Sequence, residues 1–247
     1  MLDQPRKENR RKFFQTAAAG TALLTLAPGV RLVDLAVAKD DADEVTDNTR
    51  WGMLVDTSRC ATDCDACVSA CAKEHSIEDT GRPDTDAQWI RKVDLKDKKT
   101  GRELSLPLMC QHCDEPPCVD VCPTGASFKR ADGIVLVDKH TCIGCRYCMM
   151  ACPFDARSFI HEKLSNQRSY APRGKGTVES CTFCVHRVDK DQAPACVEAC
   201  AEEGHHALVF GDLNDKDSEI SRSLAEKSTR ELRPSLNLGT GALYHGL

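Results

Sequence analysis

The sequence predicts an α+β fold of small β-loop-α units, and three observations carry that expectation. Sixteen cysteines fall into four groups of four, all between Cys60 and Cys200. Short strand-like segments alternate with those groups. Only 5% of the 247 residues are aromatic, so the core must be organised around something other than large side chains. A cysteine density of about 11% over that stretch is in the range that signals covalent or metal cross-linking.

Taken in chain order, residues 1–38 read as an export signal and not as part of the fold. Arg10-Arg11 lies in a charged stretch with Phe13-Phe14 behind it. A short apolar run follows from Thr16 to Ala27, and Ala36-Val37-Ala38 resembles a cleavage site, which together match a twin-arginine signal. A membrane span needs about 20 apolar residues, and Pro28, Arg31 and Asp34 interrupt this run. The expected location is the periplasm, reached by the twin-arginine route, which carries folded proteins and so suits thiolates that must be loaded before they meet an oxidising compartment. No later segment approaches 18 consecutive apolar residues, and the mean hydropathy is -0.41, so membrane association is expected only through a partner. Residues 39–247 carry 27 basic and 35 acidic side chains, which excludes the basic face that a nucleic acid would require.

The strand-like segments are residues 52–55 before the first cysteine group, 134–137 before the third and 207–210 after the fourth. Residues 89–95 and 103–106 flank Asp97-Lys98-Lys99-Thr100-Gly101 and read as a hairpin. Residues 164–176 hold Arg168, Arg173 and Lys175 between glycines and a proline; this basic loop is either a solvated insertion or a docking element for an acidic partner. Residues 217–232 have Ile220 and Leu224 one turn apart and read as a helix capped near Asp217 or Ser218, stopped by Pro234, with an extended tail to Leu247.

The cysteine groups are Cys60-x3-Cys64-x2-Cys67-x3-Cys71, Cys110-x2-Cys113-x4-Cys118-x3-Cys122, Cys142-x2-Cys145-x2-Cys148-x3-Cys152 and Cys181-x2-Cys184-x11-Cys196-x3-Cys200. Three chemistries compete for them. Disulfides gain most from long-range staples, whereas these cysteines are tightly spaced. Structural zinc wants two C-x2-C knuckles on a long spacer, to which a further nearby cysteine is surplus. A [4Fe-4S] cluster takes three thiolates from one short loop and a fourth from elsewhere, and the third group with Pro153 reproduces the C-x2-C-x2-C-x3-C-P run of bacterial ferredoxins. Four such clusters are expected. Each group already has four thiols, so the eight histidines, His112 and His205-His206 among them, are read as surface residues or as neighbours of the ligands. Arg146 and Arg157 are read as solvated or as tuning a cluster potential. No nucleophile-base-orienter set and no phosphate loop is legible, so no catalytic site is expected.

At Asp56-Thr57-Ser58-Arg59-Cys60, Cys113-Asp114-Glu115-Pro116-Pro117-Cys118, Cys142-Ile143-Gly144-Cys145-Arg146-Tyr147-Cys148, Cys152-Pro153-Phe154 and Phe210-Gly211-Asp212-Leu213-Asn214-Asp215, the chain resembles the four-cluster iron-sulfur subunits of the dimethyl sulfoxide reductase, polysulfide reductase and formate dehydrogenase type. The resemblance implies swapped ligation: Cys60, Cys64 and Cys67 completed by Cys200; Cys181, Cys184 and Cys196 by Cys71; Cys110, Cys113 and Cys118 by Cys152; and Cys142, Cys145 and Cys148 by Cys122. It implies two pseudo-symmetric, interleaved ferredoxin-like units, one from groups one and four and one from groups two and three, in a domain over residues 51–211 followed by a helix and tail over 212–247. The extra residue in Cys60-x3-Cys64, and Ala72 and Ala201 where proline might follow, depart from the pattern. Within the family, an export signal on this chain looks most like the periplasmic, DsrO-like subunit of the Dsr membrane complex of dissimilatory sulfur metabolism. The partners so implied are a multihaem c-type cytochrome and an NrfD-like integral membrane quinone-interacting subunit. The alternative is an electron-transfer subunit of a molybdopterin oxidoreductase or hydrogenase.

Overall fold

The computed structural model describes residues 45–247, and the export-signal reading of residues 1–38 lies outside them. The organising element is β1 (Trp51–Asp56), in which Met53, Leu54 and Val55 are fully buried. An uninterrupted apolar run suits a strand covered on both faces, and β1 is central in a four-stranded sheet. On one side it pairs antiparallel with β8 (Leu208–Asp212), on the other parallel with β10 (Ala242–His245), which in turn pairs antiparallel with β9 (Thr229–Arg230).

Three two-stranded sheets complete the β structure. β2 (Ile90–Lys96) and β3 (Glu103–Met109) form the hairpin expected around residues 97–101. Asp97 Oδ1 accepts from the Lys99 N-H at 2.8 Å and so closes its turn. β4 (Ser127–Lys129) pairs with β5 (Val135–Val137), and β6 (Ser158–Phe159) with β7 (Val178–Glu179). Among these lie α1 (Ala66–His75), α2 (Pro117–Asp120), α3 (Tyr147–Ala151), α4 (Val185–Val188), α5 (Ala195–Glu202) and α6 (Glu219–Glu226). This mixture is α+β, as expected.

Two regions differ from the sequence reading. The C-terminal helix is capped by Ser218, whose side chain accepts from the Ser221 N-H. It ends at Glu226, six residues before the expected end. Lys227 leaves the helix in an extended conformation to donate from Nζ to Asp56 Oδ2 at 2.5 Å, and the chain then enters β9. The expected tail beyond it is not an appendage: Ala242 and Tyr244 of β10 are fully buried beside β1. Tyr244 Oη accepts from Gln111 Nε2 at 3.1 Å and donates to the Pro107 carbonyl at 3.3 Å. The basic loop also changes character, because Arg173 is buried against the fully buried Glu179 at 2.7 Å and donates to the Ser76 carbonyl at 2.6 Å. A buried pair that has found these extra hydrogen bonds is costly to break, so Arg173 is a structural tie and not a docking cation.

Candidate metal centre

Each cysteine is placed by local chain geometry that its sequence dictates. β1 delivers the chain to Cys60 through a turn in which Asp56 Oδ1 accepts from the Ser58 N-H and hydroxyl at 3.1 and 2.5 Å. The longer Cys60-x3-Cys64 loop is held from outside. Lys92 Nζ on β2 donates to the carbonyls of Ala61, Thr62 and Cys64, which gives the extra residue's backbone groups a partner. Cys67 and Cys71 follow on α1, and Cys196 and Cys200 on α5, each pair four residues apart on one buried helix side. Residues so spaced sit about 5–6 Å apart on a helix, and here α1 and α5 pack against each other.

Which thiols meet follows from their mutual charge interactions. Burial raises Cys67 to about 12, with Cys60, Cys200 and Cys64 adding to the rise. Burial likewise raises Cys71 well above its usual value, and the thiols that add to it are Cys181, Cys196, Cys184 and Cys67. Cys67 is thus a neighbour of Cys200 and Cys71 of Cys196. Burial lifts Cys113 to about 12, reinforced by Cys110, Cys118 and Cys152. Burial raises Cys148 as well, and Cys142 and Cys122 add to it. Cys110, Cys118 and Cys152 are thus neighbours of Cys113, and Cys142 and Cys122 of Cys148, with Cys145 in the same loop as Cys142 and Cys148.

Left-handed backbone makes the tight loops. His112, Arg146, Phe183 and Cys184 have φ of 44°, 65°, 51° and 51°, and Gly144 has φ 70°. A Cβ at Gly144 would lie 2.1 Å from the Gly176 carbonyl oxygen, so the Cys142–Cys145 turn leaves no room for a side chain there. Backbone amides elsewhere in the fold reach the sulfurs. The Ala207, Ser127 and Val178 N-H groups donate to Sγ of Cys200, Cys122 and Cys142 at 3.2, 3.3 and 3.5 Å. At Cys122 burial would raise the thiol, but the donors from Ser127, Thr124 and Ala126 outweigh it and hold its pKa below the usual thiol value. Donation of this kind favours the ionised sulfur.

The sixteen thiols suit a thiolate-bound cofactor. All are free of disulfides. Among the described residues, no three His, Cys, Asp or Glu side chains converge as ligands of one metal ion. Desolvation also pushes Cys110 to about 12 and Cys184 to about 11, so most of these buried sulfurs ionise only when a cationic group is bound to them.

The four groups also stand in a series. Cys196 feels Cys67 of the first tetrad, Cys181 of the second feels Cys110 of the third, and Cys118 of the third feels Cys148 of the fourth. The inner positions are the most enclosed. Every thiol of the second tetrad is buried, while Cys60 and Cys64 at one end are half-buried and Cys145 at the other is exposed. Around Cys145, Ile143, Tyr147 and Met150 are 67%, 57% and 81% exposed.

Three neighbours of the thiols are more enclosed than the sequence suggested. His75 is buried with Nε2 3.4 Å from Cys184 Sγ, and burial lowers its pKa to about 4, so it is neutral at neutral pH. His112 is fully buried, stacks on Phe183 at 3.7 Å, and accepts the Val135 N-H on Nδ1 at 3.0 Å. Arg157 is buried as well, with Nη2 3.0 Å from Cys118 Sγ. No local pattern announces Arg157 beyond its position five residues after Cys152, and nothing in the sequence announces Lys92 as a loop tie. Among the described residues, no helix is long and apolar enough to cross a membrane.

Comparison with known proteins agrees with this geometry. Residues 102–212 match the 4Fe-4S dicluster domain family. The chain is 42% identical to the Hdr-like menaquinol oxidoreductase iron-sulfur subunit 1 of Archaeoglobus fulgidus, over 94% of this chain and 95% of that one. It is 36% identical to a tetrathionate reductase subunit of Salmonella typhimurium, over 97% and 88%. With protein NrfC of Escherichia coli it shares 39% identity over 77% of each chain.

Proposed function

The chain belongs to the family of iron-sulfur subunits that bind [4Fe-4S] clusters, and we propose that it relays electrons through four of them as a subunit of a larger complex. Its relatives are named as iron-sulfur subunits or as subunits of reductases and a menaquinol oxidoreductase, which supports an electron-transfer role with no catalytic site of its own. The observation that carries the reading is the series of four thiol tetrads, enclosed in the middle and open at both ends. In the proposed ligation Cys60, Cys64, Cys67 and Cys200 hold the first cluster and Cys71, Cys181, Cys184 and Cys196 the second. Cys110, Cys113, Cys118 and Cys152 hold the third, and Cys122, Cys142, Cys145 and Cys148 the fourth.

The clusters would supply one-electron storage. The chain's own residues do the rest: helices α1 and α5 hold thiols of two tetrads at fixed separation, backbone amides reach the sulfurs, and the buried second tetrad keeps water from the middle of the series. Hydrogen bonds, burial and local charge then set each potential.

The finer reading places the protein in the periplasm, between a multihaem c-type cytochrome and an NrfD-like quinone-interacting membrane subunit, in a DsrO-like role. The menaquinol oxidoreductase relative, similar over nearly the whole chain, supports a quinone-linked partner. The relative named for tetrathionate reductase favours a second reading, a subunit of a molybdopterin oxidoreductase. Identification of the chains that co-purify from solubilised membranes separates them: a cytochrome c and a membrane subunit are expected, whereas a molybdopterin-containing chain selects the second reading. Replacing Arg10 and Arg11 by Lys is expected to leave cluster-loaded protein in the cytoplasm; loaded protein in the periplasm overturns the export route.

A further inference from the structure

Arg157 sits between the third and fourth tetrads with only 4% of its surface exposed. Its Nη2 donates to Cys118 Sγ at 3.0 Å, and its positive charge also acts on Cys148 of the fourth tetrad. Its Nε and Nη1 are buried with no partner among the described residues. A guanidinium does not give up its proton in a protein, so this is a fixed positive charge. A buried donor left without an acceptor is destabilising, and neutral thiols offset little of that. Four thiolates around an anionic cluster offset it fully.

The surroundings leave Arg157 in a distinct position. Lys139 is half-buried, but its Nζ donates to the Val178 carbonyl at 2.7 Å and desolvation lowers its pKa to about 8. Arg173 is engaged by Glu179. Arg146 is spread over the Phe159 ring at 3.9 Å. In the first two tetrads the side chain against a buried thiol is the neutral His75.

We propose that Arg157 is a positioning residue shared by the third and fourth clusters, raising both reduction potentials together through one fixed charge. Reduction adds one electron to a cluster, and a nearby cation stabilises the added negative charge, so the potential rises with the cation present. The inference rests on the ligation proposed above, and Cys118→Ser and Cys148→Ser assign the two signals independently of Arg157.

The test is a potentiometric titration followed by electron paramagnetic resonance at pH 7, on the full chain with its clusters. In Arg157→Gln both assigned clusters are expected to shift at least tenfold toward the oxidised form, about 59 mV for one electron, with the first and second within twofold of wild type. Arg157→Lys keeps the charge and loses the planar guanidinium, and both potentials are expected within tenfold of wild type. Unchanged potentials in Arg157→Gln, or a shift confined to one cluster, overturns the shared role. If the Gln variant loses a cluster, the Lys variant decides: retention of both clusters near wild-type potential supports the electrostatic role, and equal loss in both variants overturns it. Should Cys118→Ser and Cys148→Ser remove signals other than those Arg157→Gln moves, the ligation is at fault and not the charge.

Discussion

The first two tetrads and the last two solve the same chemical problem with different local structure. The first pair rests on helices of ten and eight residues, α1 and α5, beside a four-stranded sheet. The second pair is carried by helices of only four and five residues between two-stranded hairpins. In the helical region, the four-residue spacing of Cys67 with Cys71 and of Cys196 with Cys200 places the sulfurs, so that in the proposed ligation one helix serves two tetrads. In the other region, turns place them, with Arg146 and Gly144 left-handed and prolines after Cys122 and Cys152. Charge at the buried thiols differs as well: a neutral imidazole touches Cys184 in the first region and a guanidinium touches Cys118 in the second, while the first region's cation, Lys92, sits on the half-buried Cys60–Cys64 loop. Repeated cysteine motifs therefore do not imply repeated electrostatics.

The largest test of this contrast exchanges ligands. Cys200→Ser is expected to remove the cluster held by Cys60, Cys64 and Cys67 and spare that of Cys181, Cys184 and Cys196. Spectra of Cys64→Ser and Cys184→Ser provide the reference. If Cys200→Ser loses the same signal as Cys184→Ser, each sequence group binds its own cluster and the helix argument fails.

The turn-built region is expected to be the more sensitive to backbone change. Gly144→Ala forces a Cβ against the Gly176 carbonyl at positive φ, at a cost of about 1–3 kcal/mol. Chemical denaturation should show that loss together with depletion of the fourth cluster, and wild-type stability with four clusters would contradict the claim that the turn has no room.

A comparable effect belongs to the sheet that supports the helical region. Lys227→Ala leaves the nearly buried Asp56 carboxylate without its cation, and is expected to cost about 1–3 kcal/mol. Burial would raise the Asp56 carboxyl, but hydrogen bonds from Lys227 and Ser58 outweigh it and hold it below the usual carboxylate range. Its folded pKa is thus below its unfolded value near 4. The contribution is complete above about pH 4 and is lost as pH falls through the folded value. Wild type should lose this increment below pH 4 and Lys227→Ala should lose less; identical acid limbs in denaturation would refute the link.

The smallest effect expected is at His75. His75→Leu removes a neutral contact to Cys184 without changing net charge, so the second cluster should shift by less than tenfold, short of the shift expected on loss of Arg157. A larger shift would erase the proposed electrostatic difference between the regions.

Much of this was legible in the linear sequence because it is local. Cysteine spacing identifies the thiol loops, the apolar run before Cys60 marks a doubly covered strand, and the charged turn after β2 marks a hairpin. The C-terminal helix was legible at its start, where Ser218 caps it, and not at its end. What stops it is Lys227 reaching Asp56, 171 residues away in sequence, and no local signal records that.

Residue order is enough to specify the cysteine loops, the chemistry they suit and the α+β class, since these depend on neighbours within a turn or two. Folding in three dimensions was needed to settle the insertion of residues 242–245 beside β1, the capture of Arg173 by Glu179, and the burial of Arg157 against Cys118. Those outcomes depend on which surfaces exclude water together and which charges then find partners. Both are settled by residues dozens to hundreds of positions apart, where spacing along the chain carries no information.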